Sequence, residues 1–304
     1  MTISDNNKQY VFIMIGISAS GKSTKAKELA KEYDAVLFSS DEYRVKLFND
    51  VNEQSKNNEL FETIFKDIKE SIDQGNNIVF DATNLSAKRR THFINHVCNK
   101  KKHKNLCVVE YVFPITYELA CKRNSERDRQ VPEEIIRKQC LQFMPPIRTE
   151  EYDNVIIVPQ EEYDFAKALE ETYDFKQKTP YHKYTLGEHT QKAFNLIVDL
   201  FPKKQELILA TLLHDIGKPL AGELTEKEDG KVVASFKGHQ NYGAMLALFL
   251  QDQKPDIDVL KVSRLVYYHM SFYQEKSLPK VAEQLGVETY TDLVRLNVAD
   301  RWGH

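Results

Sequence analysis

The feature that most constrains this 304-residue chain is the octapeptide GISASGKS at residues 16–23, set between an apolar run and a helical pattern. It matches G-x-x-x-x-G-K-[ST], and a strand before it with a helix after it is the context this spacing requires. With ordinary residue usage, a chance match in about 300 positions is on the order of one in a hundred. The glycines let successive backbone N–H groups turn inward onto phosphate oxygens, and the first turn of the following helix adds its partial positive charge. Gly16, Ser18, Ser20, Gly21, Lys22, Ser23 and Thr24 are therefore expected to cradle ATP, with Lys22 on the β/γ-phosphates and Ser23 on Mg²⁺. A Gly-rich structural turn is the alternative.

Such a loop belongs in an α/β sheet, and the first half of the chain has that pattern. Strands are expected at 10–17, 35–40, 76–83, 106–113 and 154–159, and helices at 22–33, 55–74, 88–99, 116–126 and 132–143. The strands are rich in Val, Ile and Phe with little alternation, as in a parallel sheet buried on both faces. After Pro159 the pattern changes, with six acids between 161 and 175 against the single Lys167. The expected organisation is a P-loop kinase domain at 1–160, an acidic linker at 161–178 and an all-α domain at 179–304. No convincing strand run appears after Thr185.

Composition excludes several classes. The apolar runs, residues 11–17 among them, are far short of the roughly 18 needed to span a bilayer. The N-terminus MTISDNNKQY lacks a secretory pattern, so a cytoplasmic protein with no membrane partner is expected. Cys98, Cys107, Cys121 and Cys140 form no CxxC pair, which favours reduced thiols over a disulfide framework or a cysteine zinc site. A net charge of −3 supplies no global positive field, so any polynucleotide contact must come from local basic patches.

Residues beyond the loop must select the acceptor. Asp41 and Arg44 follow the second strand, where a parallel sheet presents ligands. Asp41 can take the proton of an attacking hydroxyl and Arg44 can hold an acceptor phosphate; a helix N-cap Asp beside an exposed Arg is the alternative. The third strand ends in Asp81, Thr83 and Asn84, either a Mg²⁺ and acceptor site or an Asx-turn. Arg123 and Arg127 have i, i+4 spacing, which suits one helix face of a lid over ATP phosphates or a surface stripe paired with Glu126 and Asp128.

Together GISASGKS, SSDEYR, DATNLSAKRR and KRNSERDRQVP resemble the phage-type 5′-hydroxyl polynucleotide kinase family over about residues 8–158. The resemblance implies that Lys22 and Ser23 bind ATP·Mg²⁺, Asp41 is the general base toward a 5′-OH, Arg44 contacts the acceptor phosphate and Arg127 is the lid arginine. The chain departs from that family after the kinase, because no DxDGT-type phosphatase signature follows.

Six of nine histidines lie between 182 and 304. His189, the adjacent His214 and Asp215, His239, His269 and Asp300 form an ordered set on helical patterns, and Gly217 and Pro219 end a helix just past the HD pair. Histidine and carboxylate ligands without cysteine suit divalent ions such as Mn²⁺, Ni²⁺ or Co²⁺ rather than a soft metal. The set resembles the HD phosphohydrolase superfamily over about 175–304, most nearly the HD domain of certain bacterial CCA-adding tRNA nucleotidyltransferases, through TPYHKYTLGEHT, LLHDIGKP, FKGHQNYGA and LVYYHM. That likeness implies His189, His214, Asp215 and Asp300 around one metal, with His239 and His269 completing a second. It also implies phosphate contacts from Lys218 and His182, although a helix-end Lys on carbonyls is an equal alternative for Lys218.

The combination predicts a bifunctional end-healing enzyme. It would phosphorylate 5′-OH ends of RNA or DNA, with RNA favoured on chemical grounds, and remove a 2′,3′-cyclic phosphate or 3′-phosphate, so that a separate RNA ligase can join the ends. The alternatives are a small-molecule nucleoside or nucleotide kinase fused to an HD nucleotidase, and a non-catalytic ATP and metal sensor. Oligomeric state carries no sequence signal.

Overall fold

The segment QYVFIMI forms strand β1 (Gln9–Ile15), buried from Tyr10 onward on both of its faces. An apolar strand with no polar face is stable only in the middle of a sheet, and β1 is central in the computed structural model. The sheet has the order β2 (Ala35–Ser39), β3 (Asn77–Asp81), β1, β4 (Leu106–Val112), β5 (Asn154–Ile157), with every neighbouring pair parallel. All five strands lie where the sequence pattern predicts them. The structure describes residues 8–53, 55–177, 184–226, 231–273 and 277–303.

The chain divides into two compact units, Met1–Phe113 with Thr149–Val158, and Pro114–Arg148 with Pro159–His304. In the first, α1 (Lys22–Glu32) buries Ala26 and Leu29 in a core with Tyr10, Phe12, Met14 and Val109. The sequence pattern did not foresee α2 (Ser40–Phe48), a short helix whose apolar residues make no stripe. In α3 (Asn57–Asp73), Leu60, Ile64, Ile68 and Ile72 make a buried i, i+4 stripe. The next helix, α4 (Ala87–His92), passes into a π-helical stretch, Phe93–Cys98.

One buried cation ties this unit together. Arg90 on α4 is 1% exposed, and its Nε and Nη2 donate to the Glu150 carboxylate at 2.7 and 2.8 Å. Glu110 of β4, also buried, lies 3.5 Å from Nε, and Nη1 donates to the Asn84 carbonyl at 2.8 Å.

The second unit contains α5 (Tyr117–Ser125), α6 (Glu133–Cys140), α7 (Phe165–Thr172), α8 (Leu186–Leu200), α9 (Gln205–Leu213), α10 (Lys218–Ala221), α11 (His239–Ala247), α12 (Leu250–Gln253), α13 (Val259–Tyr268), α14 (Leu278–Leu285) and α15 (Val287–Trp302). Helix α8 starts with a complete capping box, Thr185 with Glu188. The stretch 114–148 is fastened here by long-range bonds: Tyr117 N–H to Tyr242 Oη at 3.0 Å, Asn241 Nδ2 to the Phe143 carbonyl at 2.9 Å, and Arg264 Nε to the Pro146 carbonyl at 2.7 Å. The expectation of helices alone needs one correction, because β6 (Glu223–Glu226) and β7 (Val232–Ser235) form an antiparallel ribbon. Every residue of β6 is exposed, so no buried alternation marks it in the sequence.

Removing one partner of a buried charge strands the other. Glu150→Ala should therefore lower the unfolding free energy of the first unit by about 3–5 kcal/mol, read from the midpoint shift in urea. An exposed control such as Glu70→Ala should shift it by less than about 0.5 kcal/mol.

Candidate active sites

The first site lies at the carboxyl ends of β1, β2 and β3. Gly16 N–H donates to the Thr83 carbonyl at 3.0 Å, which moors the loop after β1 to the loop after β3. A Cβ on Gly16 would fall 2.7 Å from Ser20 Oγ and 3.2 Å from Phe113, so only glycine fits there. Gly21 takes φ +83° and turns the chain into α1. Lys22 is buried, with Nζ donating to the Ile17 carbonyl and to Ser20 Oγ. The loop and its lysine thus form one nest at the start of a helix, the arrangement that binds phosphate.

Ser39 caps α2 by accepting from Glu42 N–H, so Asp41 is not the cap residue. Its carboxylate is about half exposed (52%) and lies 3.2 Å from Arg44 Nη1. Arg44 is 7% exposed, and it also donates to the Glu53 carbonyl at 3.1 Å and to Asn57 Oδ1 at 2.8 Å. Arg44 therefore orients Asp41 from below. Asp81 pairs in register with Ser39 and is buried at the end of β3. Asn84 takes φ +46°, and its side chain donates to the Met14 carbonyl at 2.8 Å, which makes it a brace of the site.

Arg123 and Arg127 belong to the second unit. Asn124 exchanges two bonds with Val131, Nδ2 to its carbonyl at 2.8 Å and Oδ1 from its N–H at 2.9 Å, and this closes a loop right after α5. Because α5 stops at Ser125, Arg123 and Arg127 do not share a helix face as their spacing predicts. Arg123 is tied to Gln160 through its side-chain oxygen at 2.9 Å and its carbonyl at 3.2 Å, whereas Arg127 is exposed in the loop.

The second site brings six of the predicted residues together from different helices. His189, His214 and Asp300 form one cluster and Asp215, His239 and His269 another, all buried, with each cluster's ligand atoms within 4.8 Å of one another. Asp215 joins the two: Oδ2 lies 3.4 Å from His189 Nε2 and 3.3 Å from His214 Nε2, while Oδ1 lies 3.2 Å from His239 Nε2 and 3.7 Å from His269 Nε2. His214, His239 and His269 each point Nδ1 at the carbonyl three residues earlier, on Thr211, Phe236 and Val266, all at 2.7 Å. A carbonyl only accepts, so Nδ1 carries the hydrogen and Nε2 presents a lone pair. His239 and His269 thus face each other nitrogen to nitrogen at 3.1 Å, and His189 and His214 do so at 3.0 Å. The neutral His239 and His269 rings repel in that arrangement, and a cation between them removes the repulsion. The donor set fits divalent cations.

Charge in the cluster is strongly coupled. Burial opposes ionisation of Asp215 and Asp300, yet Lys218 and the histidines hold Asp215 well below the usual carboxylate range, and His189 and His214 do the same for Asp300. Burial also works against a charged His214, but Asp215 and Asp300 outweigh it and push its pKa up to about 10. His269 is pulled below its ordinary value, mainly by burial.

Lys218 is buried on α10 with Nζ 2.6 Å from Asp215 Oδ2 and 2.6 Å from Gln177 Oε1. It is therefore not a helix-end lysine on surface carbonyls. The sequence reading missed Gln177, which sits in the stretch taken as linker and is only 2% exposed, and Tyr273, whose hydroxyl reaches Asp300 Oδ2 at 3.4 Å. No local pattern marks either residue, since only the tertiary fold carries them to the site. His182 lies outside the described residues. Among the described residues no helix is long and apolar enough to cross a membrane.

Comparison with known families finds two matches. Residues 11–146 match a family profile described as an AAA domain and residues 185–301 one described as an HD domain. The chain thus joins a kinase-like P-loop domain of the AAA type to a helical HD domain. Among solved structures it is similar to a chain of the Pnkp1/Rnl/Hen1 RNA repair complex, at 19% identity and TM-score 0.39, over 46% of this chain and 45% of that one. It is also similar to a kinase from Chloroflexus aurantiacus (14% identity, TM-score 0.42, 54% of this chain and 93% of that one). A fungal RNA kinase is a third (15% identity, TM-score 0.38, 67% and 49%). The chain spans less than half the length of the repair-complex chain it matches.

Metal ions and protons compete for the histidines. With His189 and His214 both raised, protons must leave when a metal binds, so the apparent affinity should rise with pH, by up to tenfold per pH unit for each proton displaced. Competition against a chelator from about pH 6 to about pH 8 measures this, and a flat profile would contradict the ligand set. In metal-free protein, the raised His214 pKa contributes stability that is complete below its ordinary 6.5 and is lost as pH climbs through about 10.

Proposed function

We propose that this protein is a bifunctional nucleic-acid end-healing enzyme acting on broken RNA. The observation that carries the proposal is the presence in one chain of a P-loop nest around Lys22 and a separate buried His/Asp cluster centred on Asp215. Many ribonucleases leave a 5′-OH on one fragment and a 2′,3′-cyclic phosphate on the other, and each site answers one of these ends.

In the kinase step, the loop N–H groups and Lys22 hold the phosphates of ATP, and Ser23 is the ligand for Mg²⁺. Asp41, oriented by Arg44, accepts the proton of the 5′-hydroxyl as its oxygen bonds to the γ-phosphorus and ADP departs. Asp81 serves the Mg²⁺ shell, and Thr83 lines the acceptor side. Arg123 and Arg127 act from the lid on transition-state charge.

In the hydrolytic step, His189, His214, Asp215, His239, His269 and Asp300 would hold Mn²⁺, Ni²⁺, Co²⁺ or a similar ion. Bound divalent ions supply Lewis acidity and an activated water. Lys218, seated beside Asp215, offers its ammonium to a substrate phosphate oxygen, with Gln177 keeping it in place. The product ends, a 5′-phosphate and a phosphate-free 3′ end, suit a separate ligase.

The test is to incubate the protein with ATP, Mg²⁺ and Mn²⁺ or Ni²⁺ and a short RNA bearing a 5′-OH and a 2′,3′-cyclic phosphate, and to weigh the products. Gain of a 5′-phosphate with opening or loss of the cyclic phosphate is expected. Lys22→Ala should abolish only the first change and Asp215→Ala only the second, while Asp41→Asn should cut kinase kcat by about 10²–10⁴. Turnover of nucleosides or nucleotides with unchanged RNA would instead establish a metabolic kinase and nucleotidase.

A further inference from the structure

Outside both sites, the first unit carries an open cleft of about 420 Å³ between α3 and α4. Its walls are unlike the rest of that surface. Phe61 and Phe65 of α3 and His92 of α4 present half-buried or exposed rings, with Phe61 and Phe65 centred 5.8 Å apart and Phe65 and His92 6.2 Å apart. Lys88 and Arg89 are exposed at the rim, and the Arg89 guanidinium lies over the Phe61 ring at 4.8 Å. Glu62 is the one acid lining the cleft.

The helix pattern explains this division of labour. Along the run AKRRTH, Arg90 turns inward to Glu150, and its neighbours Lys88 and Arg89 are left on the outer face with His92. The buried stripe Leu60, Ile64, Ile68 and Ile72 likewise leaves Phe61 and Phe65 beside the core rather than within it. Two half-exposed phenyl rings are costly to leave against water, and they gain by stacking on flat partners.

The position of the cleft is also informative. Ser86, on its wall, is two residues beyond Asn84, the brace that follows Asp81. Asn58, on the opposite wall, adjoins Asn57, which accepts from Arg44 Nη2 at 2.8 Å. Each wall is therefore within two residues of a side chain that braces the first site.

We propose that this cleft binds the single-stranded nucleotides immediately 3′ of the hydroxyl to be phosphorylated. Bases stack on Phe61, Phe65 and His92, and Lys88 and Arg89 pair with the intervening phosphates. Rings interleaved with cations are the arrangement by which proteins hold single strands without reading sequence. The proposal rests on the end-healing function above and gives its kinase half a preference for oligonucleotides over mononucleosides.

The test measures kinase KM and kcat for 5′-OH RNA acceptors from a nucleoside 3′-monophosphate to a hexamer, at several salt concentrations. For the native protein, KM should fall with each of the first few added nucleotides and then level off. In the Lys88→Ala/Arg89→Ala double variant, whose positions are exposed, KM for the hexamer should rise about tenfold with kcat nearly unchanged, and the salt slope should shrink by roughly 1.4, about 0.7 per lost phosphate contact. Phe61→Leu, which keeps an apolar side chain beside Phe80, should raise the hexamer KM without altering the salt slope. Anisotropy of a labelled 5′-OH hexamer gives the same ranking without turnover. Oligonucleotide phosphorylation with a KM independent of length, or unaffected by the double variant, would overturn the cleft assignment and leave end healing standing. Phosphorylation of nucleosides alone would overturn both.

Discussion

The kinase-like unit depends on one buried cation. Arg90 sits in the interior, where a guanidinium is tolerated only if its charge and all its donors are answered. Glu150 takes two of its bonds, Glu110 supplies a second negative charge, and the Asn84 carbonyl accepts a third bond. That last contact reaches the site. Asn84 in turn holds the Met14 carbonyl at the end of β1, and the neighbouring Thr83 carbonyl holds Gly16 N–H. The phosphate loop is thus anchored through a chain of hydrogen bonds that begins at a charge enclosed by β4, α4 and the segment before β5. This is rigid support of the kind a phosphate nest needs, since its N–H groups must point at one place without reorganising.

The helical unit solves an opposite problem. It concentrates two carboxylates and four imidazoles in a space closed to water, with three rings aimed by backbone carbonyls so that their lone pairs converge. Such an arrangement is poor for a folded protein taken alone and good for one that takes up cations. Asp215 is central, because one carboxylate oxygen faces each cluster, and the adjacent Lys218 balances part of its charge.

Both units use arginines near their sites as internal braces. Arg44 and Arg123 read in sequence as ligand-binding cations, but both are largely spent on internal partners, Asp41 with Asn57 in one case and Gln160 in the other. Arg127, Lys88 and Arg89, by contrast, are exposed. A guanidinium carries five donors in a fixed plane and is well suited to bracing a carboxylate or loop from beneath. Its presence beside a site therefore does not by itself identify what touches substrate.

Much of the plan was legible in the chain. Gly16, Gly21 and Lys22 act through backbone geometry within eight consecutive residues, so the nest follows from local sequence. The five strands follow from unbroken apolar runs, and the H…HD…H…H…D order marks the candidate metal cluster because few other roles require those side chains in that order. The structure alone decided the rest. The exposed ribbon β6–β7 and the short α2 bury too little to leave a period, and the end of α5 before Arg127 depends on Asn124 closing on Val131. Gln177, Tyr273 and the Arg90 triad gain their roles from neighbours tens of residues away. Local sequence determines what the backbone and a short spacing can do, whereas the partners of a side chain are set by packing between distant segments, which no local pattern encodes.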